Sequence, residues 1–236
     1  MNVLVIDVGG SHVKLCISEL AEVRRFDSAP DLTPRALIAR VHEMTRDWTY
    51  NVVALGYPGQ VDADGPVAEP GNLGSGWVGF DFAAALGHPM RIVNDAALQA
   101  LGAYEGGRML FLGLGTGLGS VLIAERVIIP LELGNLRGPA MAGMDTLGEL
   151  LGKSGLARLG ERRWAEVVRA EAIRLRASFV ADYIMLGGGN ASLVDPLPEH
   201  VRRGGNEAAC AGGFRLWEEV IEPHDQQPRV VWRVVA

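Results

Sequence analysis

The sequence predicts an α/β protein of two similar lobes with a cleft between them, and three observations carry that prediction. A strand, a glycine turn and a second strand occur at the start, Val3 to Ser18, and again near the middle, Met109 to Ala124. Each copy is followed by a third strand, then a helical stripe and another buried-type strand. A chain of 236 residues is also long for one compact unit and suits two of ordinary size. The repetition is one of pattern, not of residues. The expected lobes are 1–105 and 106–236, with a C-terminal helix at about 206–221 able to pack back on the first lobe.

In the first lobe, Val3 to Val8 reads as a buried strand, and Gly9-Gly10-Ser11 as the turn into His12 to Ser18. Glu19 to Glu22 reads as a short turn before Val23 to Phe26, which completes a meander. Thr33 followed by Pro34 supplies a helix cap and first helical position, and Leu37, Val41, Met44 and Trp48 recur at helical spacing. Asn51 to Tyr57 is a strand running into Pro58-Gly59. Residues 62–80, rich in Gly, Pro, Asp and Asn, read as a long functional loop, because structureless stretches of that size seldom persist in compact domains without a role. Arg91 to Val93 is a short strand, and Asn94-Asp95 opens a helix that Gly106-Gly107 ends.

In the second lobe, Met109 to Leu112, Ser120 to Ala124 and Val127 to Leu131 are strands around the turn Gly113 to Gly119. Trp164, Val168, Ala172, Leu175 and Phe179 form a helical stripe, and Tyr183 to Leu186 is a strand ending in Gly187-Gly188-Gly189. Cys210, Phe214, Trp217 and Ile221 mark a last amphipathic helix, and the tail VVWRVV has the pattern of an added edge strand whose position the sequence does not define.

Composition narrows the function. With 48% hydrophobic and 21% charged residues the chain has the balance of a folded globular protein. A net charge of −6 argues against a general nucleic-acid binder, which needs a basic face for counterion release. The absence of an apolar stretch near 20 residues and of a basic leader implies no membrane span and a cytoplasmic location. Cys16 and Cys210 are too few for a disulfide framework or a zinc cluster, and each falls in an apolar segment where it can serve as a small buried hydrophobe in a reducing compartment. His12, His42, His88, His200 and His224 show no metal-ligand spacing.

Two glycine turns in matching places are harder to explain as ordinary hairpins than one. Asp7-Val8-Gly9-Gly10-Ser11 sets a carboxylate beside bare backbone N–H groups, an arrangement for a phosphate and a cation or its waters. Gly113-Leu114-Gly115-Thr116-Gly117-Leu118-Gly119 has four glycines on alternate positions, but strand follows it, so it is no dinucleotide fingerprint. Asp95 is either an ordinary helix cap or a general base, ionised at neutral pH and ready to accept a hydroxyl proton in phosphoryl transfer. Glu132 and Asn72 offer the directional hydrogen bonds that sugar hydroxyls demand. Gly187 to Gly189 lets an adenine or a phosphate approach backbone, or simply starts a helix.

With these pieces in order, the sequence resembles the ROK family of sugar kinases and repressors, most of all its polyphosphate glucokinase branch. The carriers are IDVGGSHVKL at 6–15, GYPGQV at 56–61, GNLGSGW at 71–77, VNDAALQALGAY at 93–104, GLGTGLGSVL at 113–122, PLELGNL at 130–136 and LGGGNAS at 186–192. The resemblance implies two ribonuclease H-like domains of the actin-like type and phosphoryl transfer to a hexose 6-hydroxyl. By that resemblance Asp95 is the base, Asn94 and Asn72 grip neighbouring hydroxyls, and Glu132, Asn135 and Glu149 bind the sugar from the second lobe. Asp7, Gly9, Gly10, Ser11 and Lys14 form the first phosphate site, with Asp7 holding Mg²⁺ directly or through water. Gly115, Thr116 and Gly117 form the second, Gly187 to Gly189 line the donor channel, and the donor is ATP or polyphosphate. A homodimer is implied in the same way.

Three departures from the family accompany the match. Asn135 stands where the family has histidine, the Cys-x-Cys-Gly zinc cluster is missing so that no zinc is expected, and the first strand begins at once, leaving no room for the repressors' winged-helix DNA reader. The competing functions are a sugar-binding regulatory protein that has lost turnover, which Asn135 supports, and a phosphoanhydride hydrolase, which has little use for Asn94-Asp95.

Overall fold

The computed structural model describes all residues except 63, 126, 142, 206, 219, 224–231 and 236. His224 and the first two residues of the tail sequence VVWRVV lie outside the described residues. The chain forms two compact units, Met1–Gly102 with Ala209–Ala236, and Ala103–Ala208.

The first unit is built on β1 (Val3–Val8), β2 (His12–Ile17) and β3 (Leu20–Asp27), an antiparallel meander. Every side chain of β1 is buried, which its run of apolar residues around a single Asp allows. β3 starts at Leu20, so most of the expected Glu19–Glu22 turn is strand. Helix α1 (Pro34–Met44) opens as expected, with the Thr33 hydroxyl accepting from Ala36 N–H at 3.3 Å. It stops before the apolar stripe does, because Thr45 turns both its N–H (2.9 Å) and its hydroxyl (2.8 Å) onto the Val41 carbonyl. Trp48 therefore packs into the core from beyond the helix.

Strand β4 (Val52–Tyr57) follows, parallel to β1. The segment expected as an unbroken loop contains the two-residue hairpin strands β5 (Val61–Asp62) and β6 (Gly65–Pro66). A short α2 (Phe82–Leu86), capped by Asp81, precedes β7 (Met90–Asn94) and α3 (Asp95–Ala103). The sheet order is β3-β2-β1-β4-β7, and Leu4, Ile6, Leu15, Leu37, Leu55 and Trp77 centre its core.

The second unit repeats this plan. β8 (Met109–Leu114), β9 (Leu118–Ala124) and β10 (Val127–Leu131) form the antiparallel meander. Then come a one-turn 3₁₀ helix (Leu133–Asn135), the β11 (Arg137–Met141) and β12 (Met144–Thr146) pair, α4 (Leu147–Leu151), α5 (Lys153–Leu159) and the long α6 (Glu161–Ser178). β13 (Tyr183–Gly187) runs parallel to β8, and β14 (Val201–Arg203) parallel to β13. The run β10-β9-β8-β13-β14, within a sheet of seven strands, thus matches the five-stranded order of the first unit. Leu110, Leu112, Leu150, Trp164 and Leu186 lie in its core.

The chain then returns to the first unit through α7 (Ala208–Glu218), and the antiparallel strands β15 (Val220–Pro223) and β16 (Trp232–Val235) follow it. Ile221, expected on the helix, belongs to β15. Close contact fixes α7: a Cβ on Gly213 would run into the Val5 side chain, and one on Gly212 into the Leu98 carbonyl oxygen of α3. Arg215 donates to the Leu101 carbonyl in the last turn of α3 at 2.6 Å, and Arg91 donates to the Leu216 carbonyl near the end of α7 while stacking on Trp217. Each guanidinium supplies a donor and positive charge where a helix leaves carbonyls unpaired.

Cys16 of β2 and Cys210 of α7, expected as separate buried hydrophobes, are joined in a disulfide, with Cα atoms 5.8 Å apart and a sequence separation of 194. Such a clip removes freedom from the unfolded chain and typically stabilises by about 2–4 kcal/mol. Reduction of the protein, or Cys210→Ser, should therefore lower the urea midpoint by the equivalent amount, and dithiothreitol should have no further effect on the variant. Coincident unfolding curves with and without reductant would refute the link.

Candidate functional site

Register brings the first group of candidate residues to one end of the parallel strands. Asp7 on β1 pairs with Lys14 on β2 and with Gly56 on β4, and Gly56 pairs with Val93, two residues before Asp95. Loops at the carboxyl ends of such strands are the usual place for ligands in α/β sheets. Gly56 lies next to both aspartates: a Cβ there would meet the Leu98 side-chain tip at 2.9 Å, crowd Asp7 Oδ1 at 3.3 Å and touch the Asp95 Cα at an ordinary 3.5 Å.

Asp7 is only 5% exposed, and its Oδ1 is buried with no hydrogen-bond partner among the described residues. Burial pushes its carboxyl up to about 6, against a weaker downward pull from Lys14, whose Nζ lies 4.0 Å from Oδ2. An orphaned buried carboxylate oxygen is costly, and a hard cation or its water shell is the kind of group that satisfies one. The residues present therefore fit Mg²⁺ at this place.

The turn beside Asp7 is held from behind. Gly9 N–H donates to His12 O at 3.0 Å, Ser28 N–H to Ser11 O at 2.9 Å, and the Ser28 hydroxyl to Gly9 O at 2.8 Å. Ser28 had no signal in the sequence, since a lone serine after a strand carries no motif. Gly10 and Ser11 are exposed, and Lys14 is half-buried.

At the start of α3 the capping role falls to Asn94. Its Oδ1 accepts from Ala96 N–H (2.9 Å) and Ala97 N–H (3.3 Å), and its Nδ2 donates to Gly59 O (2.9 Å). Asp95 is then the first helical residue, half-exposed, with Oδ1 accepting from Ala96 N–H at 2.8 Å. Asn72 is exposed on a loop whose Trp77 is anchored in the core of the first unit. Trp77 is fully buried against Tyr57 and donates to Gly74 O, the Tyr57 hydroxyl donates to Ala68 O, and the Glu69 carboxylate accepts from Trp77 and Val78 N–H.

The second group lies in the other unit. Gly115-Thr116-Gly117 is the three-residue β8–β9 connection, closed by Gly115 N–H to Gly117 O at 3.2 Å. Lys153 N–H donates to the carbonyls of Gly115 (3.0 Å) and Thr116 (3.2 Å), and a Cβ on Gly152 would sit 2.6 Å from Thr116 O. Gly187 pairs with Gly113 across the sheet. Gly188, at φ 80°, would place a Cβ 2.6 Å from the Leu114 carbonyl, so only glycine suits that position. The structure thus puts the Gly187–Gly189 turn beside the second hairpin.

Glu132 and Asn135 are exposed at the ends of the turn after β10. Glu149 closes a capping box on α4: its Oε2 accepts from Asp145 N–H (2.9 Å) and Thr146 N–H (3.3 Å), and its own N–H donates to the Thr146 hydroxyl. These backbone bonds hold its carboxyl below the ordinary glutamate range. Among the described residues there is no group of three or more His, Cys, Asp or Glu placed to hold a metal, and no helix long and apolar enough to cross a membrane.

The fold is that of the two-domain, actin-like sugar kinases. The structures and curated relatives it resembles are sugar kinases, several of the structures being described as ROK family proteins. A polyphosphate glucokinase of Mycobacterium leprae is 26% identical, over 80% of this chain and 64% of that protein. The polyphosphate/ATP-glucomannokinase of an Arthrobacter strain superposes with a TM-score of 0.75 at 23% identity, over 90% of this chain and 96% of that one. A ROK family glucokinase of Streptomyces griseus, solved with glucose and AMPPNP, gives 0.70 at 18% identity, over 92% and 99%. No family model matches the chain. It spans about half to two thirds of the length of the curated relatives it matches.

The Asp7 carboxyl titrates near 6 in the folded state against 3.8 in the open chain, so between those values the folded state binds more protons. Stability contributed by this group is therefore present at low pH and lost as pH rises through that window, by about 3 kcal/mol. In chelator, Asp7→Asn should be more resistant to urea than the parent at pH 7.5, with the advantage shrinking toward pH 4. A difference independent of pH would contradict the buried, unpartnered carboxyl.

Proposed function

We propose that the protein is a ROK-type hexose kinase that transfers a phosphoryl group from ATP or polyphosphate to a sugar 6-hydroxyl. The observation that carries this reading is the pair of aspartates at Gly56, one buried without a hydrogen-bond partner for Oδ1 and one half-exposed at a helix start, beside a serine-braced glycine turn. In this reading Asp95 takes the proton from the sugar hydroxyl as it attacks, its Oδ1 held in place by Ala96 N–H at the start of the helix that Asn94 caps. Asn72, and on the second unit Glu132 and Asn135, bind sugar hydroxyls.

The turns at Gly9–Ser11 and Gly115–Gly117 bind donor phosphates through backbone N–H groups, with Lys14 adding positive charge and Gly187–Gly189 alongside. Mg²⁺ held at Asp7 would neutralise charge on the phosphoryl oxygens. Little covalent chemistry is asked of the chain, because orientation and charge neutralisation supply most of the rate in phosphoryl transfer. Similarity to a glucokinase and a glucomannokinase supports glucose or mannose as acceptor, and similarity to polyphosphate-using enzymes supports either donor. Asn135 in place of the family histidine favours the second reading, a sugar-binding protein without turnover.

Sugar-dependent donor consumption, measured with ATP and with polyphosphate across a panel of hexoses, decides between these. A kinase consumes donor only with an acceptor, a sensor binds sugar without consuming donor, and a phosphoanhydride hydrolase consumes donor equally without sugar. Asp95→Asn keeps the acceptor for Ala96 N–H and should leave sugar affinity within a few fold while turnover falls by about 10²–10⁴-fold. Near-parental turnover would remove Asp95 from the mechanism.

A further inference from the structure

The turn that presents Glu132 is clamped by one buried hydroxyl. Ser120 lies on β9 directly across from Leu131, the last residue of β10, and is 2% exposed. Beyond Leu131 the strand pairing stops, and the serine side chain takes over from it. Its Oγ donates to the Leu131 carbonyl at 2.9 Å and accepts from Leu133 N–H at 3.0 Å. These are the backbone groups immediately before and after Glu132, so a single hydroxyl fixes both peptides that set the direction of the Glu132 Cα–Cβ bond.

Two further contacts support the same turn. Asn135 N–H donates to Glu132 O at 3.0 Å, closing the 3₁₀ turn. A Cβ on Gly134 would lie 3.1 Å from the Leu118 carbonyl and 3.6 Å from the Gly148 Cα, so the turn rests backbone against backbone on the start of β9 and the first turn of α4. Glu132 itself is exposed, with φ −114° and ψ 53°, outside the regular helical and strand regions, and its side chain makes no cap to the turn it begins. An exposed glutamate on a clamped turn has its Cα–Cβ direction set before a ligand arrives, which removes the backbone part of the ordering cost of binding.

We propose that Ser120 is a positioning residue for sugar recognition, acting through Glu132; this rests on the sugar-binding role given to Glu132 above. Loss of the hydroxyl leaves the Leu131 carbonyl and the Leu133 N–H unpaired inside the protein, and the peptides on either side of Glu132 rotate to find other partners.

The test compares the parent with Ser120→Ala, Ser120→Thr, Glu132→Gln and the double variant Ser120→Ala/Glu132→Gln, in sugar-dependent donor consumption with sugar and donor varied separately. Ser120→Ala should raise the sugar KM by about 10-fold to 100-fold, as small misplacements of a binding group do, and leave the donor KM unchanged. Ser120→Thr, which keeps the hydroxyl, should restore most of the sugar affinity. In the Glu132→Gln background the alanine should add little, because the group it aims has already been altered.

Equal changes in both KM values, or full additivity with Glu132→Gln, would show general loosening and overturn the proposal. Should Ser120→Ala not accumulate as folded protein, Ser120→Cys, of similar volume and weak hydrogen bonding, carries the same comparison. A parent without sugar-dependent turnover would instead overturn the kinase reading, and the role of Ser120 with it. An active parent with additive variants overturns the positioning role alone.

Discussion

The first half of the candidate site depends on the missing side chain at Gly56. Parallel pairing puts Asp7, Gly56 and Val93 at one level on three adjacent strands, and the chain turns into α3 immediately afterwards. A Cβ at the central position would displace the tip of Leu98 and crowd Asp7 Oδ1, while meeting the Asp95 backbone at an ordinary contact distance. A side chain there would therefore fall first on the Leu98 packing and on the Asp7 carboxylate. The burial that close packing here imposes on Asp7 is the source of that residue's raised carboxyl.

The second unit uses the same strand order with a different charge. At the level where the first unit has Lys14, Asp7 and Gly56, it has Gly119, Gly113 and Gly187. Three glycines side by side bring backbone forward on every strand and carry no charge. The two copies of the turn thus differ in electrostatics, the first carrying an acid and a base and the second only backbone dipoles.

Much of this was legible in the sequence where local chemistry sufficed. The six main strands of the two meanders, the Thr33-Pro34 start of α1 and the glycine turns follow from apolar runs, caps and turn residues that act over a few positions. Residues 132–160 were not legible: β11, β12, α4 and α5 are three to seven residues long, too short to display a period. The Cys16–Cys210 pairing spans 194 positions and depends on where α7 docks, which the glycines at 212 and 213 decide only once the sheet exists. At the site, Asp7, Asp95 and the turns stood out as residue types in unusual places. Ser28, Ser120 and Lys153 did not, because each works by a backbone contact that any polar residue in another setting could make.

Two of those residues, Ser28 and Lys153, share a physical logic. The bonds that brace the two glycine hairpins from outside run to carbonyl oxygens: Ser28 to Gly9 and Ser11, and Lys153 N–H to Gly115 and Thr116. A peptide whose carbonyl is anchored toward the protein body has its N–H directed the opposite way, and its dipole is strengthened by the bond behind it. Glycine turns left to themselves are the least ordered segments of a chain, since each residue loses the most backbone freedom on folding. Bracing them by their acceptors meets the ordering cost through bonds on the inner side and preserves the outward direction of the donors. Anion recognition by backbone asks for both properties at once, and a hairpin held by its N–H groups would meet only the first.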